Sequence, residues 1–340
     1  QQVFRSATTL SSSIGAGVAV GNAISANTGS FLLALGSNLL QNSTSASSTI
    51  ALGRQLLDTG VLTSNNNAAI GFQSLRALTD GTDNYTLGRA IFPNATTGSL
   101  LIGSGALLND TAATITATRQ VLLGTELARN AGTANDILAA GDRCADLGVL
   151  TGTNSVFFGT NVARSATATS NWVAIGAAIA DIGAAAGVTN TYIGTNIARN
   201  STSAQSNVFV GSSINTTGVL TGSLNTALGT QLLLAATGAS QTFAFGAQLF
   251  DTAVTNAAQN LALGGQSLRG LTSGTQNTSA GWNAADLAAA ITGSNNTLLG
   301  SSIARNLSSA SQTLAAGFQC LDLAVLTGIG NTALGRGNLR

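Results

Sequence analysis

Histidine is absent from this chain, and every basic side chain is arginine, so imidazole acid–base catalysis, histidine-based triads and histidine-ligated metal centres are excluded. Carboxylates are the remaining candidates for chemistry, because a polysaccharide-cleaving β-helix needs two of them clustered on one face. The chain has 12. Half of these occupy a single repeated slot. Among the other six, the candidates are Asp80 with Asp83, Asp136 with Asp142, and Asp110, which read as solvated loop charges. Gly103-Ser104-Gly105 follows an extended segment, as a phosphate-cradling loop would, but no lysine or complete glycine fingerprint accompanies it. No catalytic residue, cofactor or metal is expected, and the chain reads as a non-enzyme.

The repeated slot carries 13 charges: Asp58, Arg76, Arg129, Asp146, Arg164, Asp181, Arg199, Asp251, Arg269, Asp286, Arg305, Asp322 and Arg340. Each lies five residues after a glycine, and wherever adjacent repeats are both charged the signs alternate. Stacked one repeat apart, like charges would repel, whereas alternation makes an Asp–Arg ladder. Each exposed pair contributes only about 0–1 kcal/mol, so the expected role is structural, in setting register between turns or between chains.

The elements that must position these charges follow from the glycines. Asparagine, then threonine or valine, a small residue, leucine or isoleucine, and glycine recur, as in Asn225-Thr226-Ala227-Leu228-Gly229. The marks run from Gly21 through Gly36 and Gly53 to Gly335, and from Gly124 onward they alternate between 17 and 18 residues apart with one interval of 19. That period is too short for a pair of helices and suits one turn of a β-solenoid. We therefore expect an all-β parallel β-helix or β-roll of about nineteen rungs, on the order of 90 Å long at ~4.8 Å per rung. Residues 1–20 form an irregular N-terminal cap or joint and residues 21–340 the rod.

Columns of the repeat carry further expectations. The aliphatic residue just before each glycine is assigned to a core, and the residue before that, usually alanine, to the opposite face, so that both faces are apolar and the second needs cover from another copy. Asparagines four residues before the glycine, and Gln or Asn two after it, should form amide ladders. Cys144 and Cys320 share a column three residues after the glycine. Ten rungs, about 48 Å, separate them in this arrangement. An intrachain disulfide is thereby excluded, leaving small buried apolar residues or, secondarily, pairing between chains. Sequons at Asn94, Asn109, Asn200 and Asn306 fall in one column beyond the charged slot and are candidate glycan acceptors if the source is eukaryotic or a eukaryotic virus.

The Asn-Thr-Ala-Leu-Gly element at Asn225–Gly229 and Asn331–Gly335 resembles the repeats of phage tail fibres and of trimeric autotransporter adhesin heads. The resemblance implies parallel β-rolls or β-helices, usually homotrimeric, that present a binding tip.

Charged residues make up 7% of the chain and net charge is +1, which gives no electrostatic basis for nucleic-acid or anionic-membrane binding. No apolar run reaches the roughly 18 residues of a membrane span. The expected function is a structural fibre or shaft segment: a tail fibre, surface appendage or adhesin-like stalk. It would lie outside the cell or on a virion, partnered by itself as a homotrimer or end-to-end filament, with a cell-surface or glycan receptor as a further partner. Two alternatives stand beside it. An ice- or surface-binding solenoid would need a Thr-X-Thr array; Thr191, Thr226, Thr278, Thr297 and Thr332 share one column, but Val, Leu and Phe interrupt it. A carbohydrate-binding or carbohydrate-cleaving β-helix would need a carboxylate cluster.

Overall fold

A computed structural model describes residues 12–20, 30–40, 45–57, 65–75, 81–91, 98–104, 118–127, 135–145, 151–180, 186–217, 219, 221–233, 237–250, 257–285, 291–321 and 326–337. Among them there is no helix. The chain divides into two compact units, Gln1–Asn171 and Trp172–Arg340.

In the first unit the strands are β1 (Ile14–Val20), β2 (Leu33–Leu39), β3 (Ile50–Arg54), β4 (Ala68–Ser74), β5 (Tyr85–Ile91), β6 (Leu100–Ser104), β7 (Val121–Thr125), β8 (Asn135–Asp142), β9 (Thr153–Val162) and a short β10 (Ala168–Ser170). From β1 to β9 each strand pairs in parallel with the next. The second unit contains β11 (Val173–Ile179), β12 (Ala186–Val188), β13 (Thr191–Ile197), β14 (Val208–Ile214), β15 (Thr226–Thr230), β16 (Phe243–Ala247), β17 (Leu261–Gly265), β18 (Thr278–Trp282), β19 (Thr297–Ser301), β20 (Leu314–Phe318) and β21 (Thr332–Arg336). Its ladder runs in parallel from β11 to β13 and then strand by strand to β21. Each unit is thus a parallel β-solenoid in which successive turns donate one strand to the same ladder.

Glycine sets the register. Gly229 pairs with Gly246, and the same glycine-to-glycine alignment holds at every step of both ladders. At φ 137° Gly229 occupies a region closed to side chains, and a Cβ there would overlap the carbonyl oxygen of Gly246. The first of these residues is Gly17, opposite Gly36, rather than Gly21. The ladder therefore already includes Ile14–Val20, inside the segment expected to be an irregular cap. Gly21 itself lies outside the described residues.

Strand alternation then sorts the side chains, and it reverses one expectation. From Gly36 onward the residue second before the glycine points inward and is buried, as Ala34, Ala51 and Ala69 are in the first unit and Ala174, Ala227 and Ala244 in the second. The aliphatic residue immediately before the glycine points outward, as Leu87 and Leu228 do. The interior is narrow, so alanine stands here where the far wall is bulky, and larger residues such as Leu298 and Phe209 where the far wall is small.

Opposite these residues lies the expected second apolar pair, three and four residues after the glycine and buried, as in Leu56 with Leu57 and Leu232 with Leu233. Volumes compensate across the cross-section. Where the inward residue is Ala227 or Ala244, the far wall carries Leu233 or Phe250; where it is Phe157, Tyr192 or Phe209, the far wall carries Ala163, Ala198 or Asn215. In the second unit Tyr192 meets Trp172 edge-on at 5.5 Å and stacks on Phe209 at 5.4 Å.

Buried amides staple the turns. Asn207 and Asn225 donate through Nδ2 to Asn190 Oδ1 and Asn207 Oδ1 at 3.2 and 3.0 Å, and Asn225 Nδ2 also reaches the Ala239 carbonyl at 2.7 Å. Asn84 and Asn296 repeat the pattern on Asn67 and Asn277. Where the column carries Trp172, its indole N–H donates to the Gly187 carbonyl at 2.9 Å, replacing the amide. The second expected ladder is present where Gln73 donates to Gln55 at 3.2 Å and Gln266 to Gln248 at 2.8 Å.

Candidate functional site

Three corners per turn adopt left-handed backbone in residues other than glycine. They lie five before the glycine (Asn66, Gln241), two after it (Gln55, Asn196) and four after it (Leu57, Ala198). Each reverses the side-chain direction, and together they close the turn. On the strand between the first and second corners, the residues three and one before the glycine face solvent.

The residue one before the glycine is apolar in turn after turn, and the residue three before it is apolar through the first unit and in half the turns of the second, where threonine takes the other half. In the first unit the apolar pairs include Ile50 with Leu52 and Tyr85 with Leu87; in the second, Val208 with Val210 and Phe243 with Phe245. Leu87 is 49% exposed, Tyr85 53% and Phe243 45%. A lone exposed leucine needs no explanation, but an unbroken apolar column along a sheet, flanked by further aliphatic and aromatic residues, forms a patch of the kind that marks an interaction surface. No turn carries threonine at both outward positions, since Thr191 is followed by Ile193 and Thr226 by Leu228.

The column after the glycine borders this face. Phe72 lies between Arg54 and Arg89 from the neighbouring turns, each guanidinium carbon 5.8 Å from the ring centre. Arg336 sits likewise over Phe318 at 5.6 Å. Trp282, 57% exposed, lies flat across Gly265, where any side chain would collide with its ring. These clamps hold exposed aromatics in fixed positions at the rim.

On the opposite rim, between the first corner and the outward strand, the second unit has a groove of about 690 Å³. Gln241, Gln259 and Gln276 from three successive turns line one wall, and Thr226, Phe243 and Leu261 the other. The corresponding place in the first unit, beside Ile50 and Tyr85, is about 200 Å³, and there Asn66 donates to Asp83 at 3.1 Å.

Of the residues singled out for chemistry, Asp83 lines the smaller groove of the first unit, Asp136 stands in the corner column and Asp142 in the column after the glycine. Asp136 pairs with Arg119 at 2.6 Å. Asp142 accepts from the Thr125 hydroxyl, which holds its carboxyl below the usual carboxylate range against an opposing desolvation, with Arg143 adding to the effect. Asp80, Asp110 and Gly105 lie outside the described residues. Among the described residues no three Cys, Asp or Glu side chains come together as a metal site.

Of the charged column, Arg164, Arg199, Arg269 and Arg305 occupy equivalent half-buried turn positions. Asp58, Arg76, Arg129, Asp146, Asp181, Asp251, Asp286, Asp322 and Arg340 lie outside the described residues, as do Asn94 and Asn109. Asn200 and Asn306 are partly exposed. Asn-X-Ser/Thr triplets also begin at Asn84, Asn215 and Asn277, but these asparagines are completely buried, Asn84 and Asn277 within the amide column, so no glycan reaches them.

Cys144 and Cys320 are free thiols, each fully buried in its own unit. Burial pushes the Cys144 thiol up to about 12 from its ordinary 9.0. Keeping it protonated therefore contributes stability below pH 9 that is lost as pH rises toward 12.

Neither Gln241, Gln259 and Gln276 of the first corner nor the aromatic clamps were singled out in the sequence, because both belong to columns without a single repeated residue type. The readable signal was position relative to the glycine. Comparison with protein-family models, with curated proteins and with solved structures gives no match.

Proposed function

We propose that this chain is a non-catalytic, extracellular fibre or shaft segment of about nineteen turns that associates with copies of itself through the outward apolar face. The observation that carries the reading is that face: along each unit the column one before the glycine is apolar and open to solvent, joined three before it by aliphatic and aromatic residues that threonine interrupts in the second unit. Moving one half-exposed leucine to full burial contributes roughly 1 kcal/mol, and the contribution recurs with every turn. A lateral interface that lengthens with the solenoid suits a fibre. Inter-turn hydrogen bonding throughout the ladder and a buried amide staple resist local opening, which suits a shaft exposed to proteases.

Closed cyclic association satisfies such a face without leaving an open edge, so the homotrimer is favoured over an end-to-end filament. Native mass by multi-angle light scattering tests it. Three chains per particle is the expected result. A monomer would refute self-association through this face, and a polydisperse mass far above three chains would replace the trimer with a filament. In the second unit, Ile193→Ser with Leu228→Ser should lower the particle mass while leaving the β circular-dichroism signal intact.

A further inference from the structure

We propose that the groove of the second unit binds a linear, neutral, hydroxyl-rich glycan in extended form. The first argument is what the groove lacks. No charged side chain lines it, and its volume of about 690 Å³ falls within the range of small-molecule sites.

The second argument is what it presents. Gln241, Gln259 and Gln276 stand on successive turns, roughly 4.8 Å apart, and among the described residues nothing hydrogen-bonds to their side-chain amides. At three places, all involving the first unit, the same corner column pairs with itself, as Asn66 does with Asp83, Arg119 with Asp136, and Asn154 with Asn171. Each free amide offers donors and an acceptor suited to vicinal hydroxyls. Phe243, at the groove edge of the outward face, supplies an exposed ring on which the C–H face of a sugar can lie, the inference resting on self-association through the column one before the glycine that leaves this edge open.

The third argument is conformational. Gln241, Gln259 and Gln276 hold φ of 52°, 59° and 57°. Left-handed backbone costs a side-chain-bearing residue roughly 1–2 kcal/mol, and the shorter asparagine adopts it more readily. Three strained glutamines in succession give the reach that asparagine lacks.

A peptide strand fits the groove less well. It would need unpaired backbone groups, but the corner N–H groups of Gln241, Gln259 and Gln276 already donate to Ser223, Ser240 and Ala258. The repeat of an extended sugar chain, by contrast, is close to the spacing of the turns.

Isothermal titration calorimetry of the assembled protein with cellohexaose and with chitohexaose tests the proposal. Saturable binding of at least one is expected. Gln259→Asn, which keeps left-handed tolerance and shortens the amide, should weaken it about tenfold, the worth of one hydrogen bond. Phe243→Ala should abolish it. Two flat titrations overturn the proposal, as does binding that survives both substitutions. Saturable binding of a neutral β-strand peptide, N-acetyl-(Thr-Val)3-amide, in place of both sugars would also overturn it, assigning the groove to protein. Light scattering on each variant separates this reading from self-association. If Phe243→Ala lowers the particle mass, Gln259→Asn at unchanged mass decides the groove.

Discussion

A single asparagine in this protein serves three backbone or side-chain partners. Asn225 donates to Asn207 and to the Ala239 carbonyl, while its own Oδ1 accepts from the Thr242 backbone N–H at 3.0 Å. All of this happens at full burial. Asn225→Ala removes every one of these bonds and leaves the Ala239 carbonyl and Thr242 N–H without partners, at about 1–3 kcal/mol per stranded group. We expect a loss of roughly 3 kcal/mol in urea unfolding, and a loss below about 0.5 kcal/mol, the usual surface value, would contradict the staple. The column of asparagines was legible in the sequence because one residue type repeats at one offset from the glycine. The role of Trp172 was not, since only the structure shows its indole N–H in the amide's place. The Asp–Arg alternation was equally legible, yet its aspartates fall outside the described residues.

At the scale of the turn, three left-handed corners bend the chain, and many hold residues poorly suited to that backbone. Phe31 is the extreme case, with φ 56° and 62% exposure. Phe31→Asn should stabilise the first unit by about 1 kcal/mol, because asparagine tolerates the conformation and little packing is lost. Differential scanning calorimetry would register this as a rise in melting temperature; a fall would show that the ring packs more than its exposure implies. The strand and its period were readable from the glycine spacing. Which face turned inward was not. Alternation alone gives two faces and cannot rank them, and the bulkier aliphatic column was assigned to the core. The decisive quantity is interior width, which is set by the corners: alanine is inward because opposite it stand Leu57 or Leu233. Volume compensation, visible in the sequence as small paired with large six residues apart, was the signal that would have ranked the faces.

Across the molecule, each of the two units carries one buried free thiol, Cys144 in the first and Cys320 in the second. The two thiols report on their units separately. Both should resist an aromatic disulfide reagent at pH 8 in the folded protein and react on unfolding, in line with the raised Cys144 thiol. In a solenoid each turn contacts only its neighbours. Gly124→Ala, which forces a side chain into the Gly141 carbonyl, should therefore expose Cys144 at a lower urea concentration than Cys320. Simultaneous exposure would show instead that the chain unfolds as a single cooperative block. The glycine column also governs how such a chain can change over generations. From Gly88 to Gly103 is 15 residues and from Gly103 to Gly124 is 21, yet glycine still pairs with glycine in both steps. Insertions and deletions are absorbed between strands and rejected within them, where a slip of one residue would set a side chain against a carbonyl. Growth proceeds by copying whole turns, and the segments between strands are the places where new sequence can be grafted without disturbing the rest.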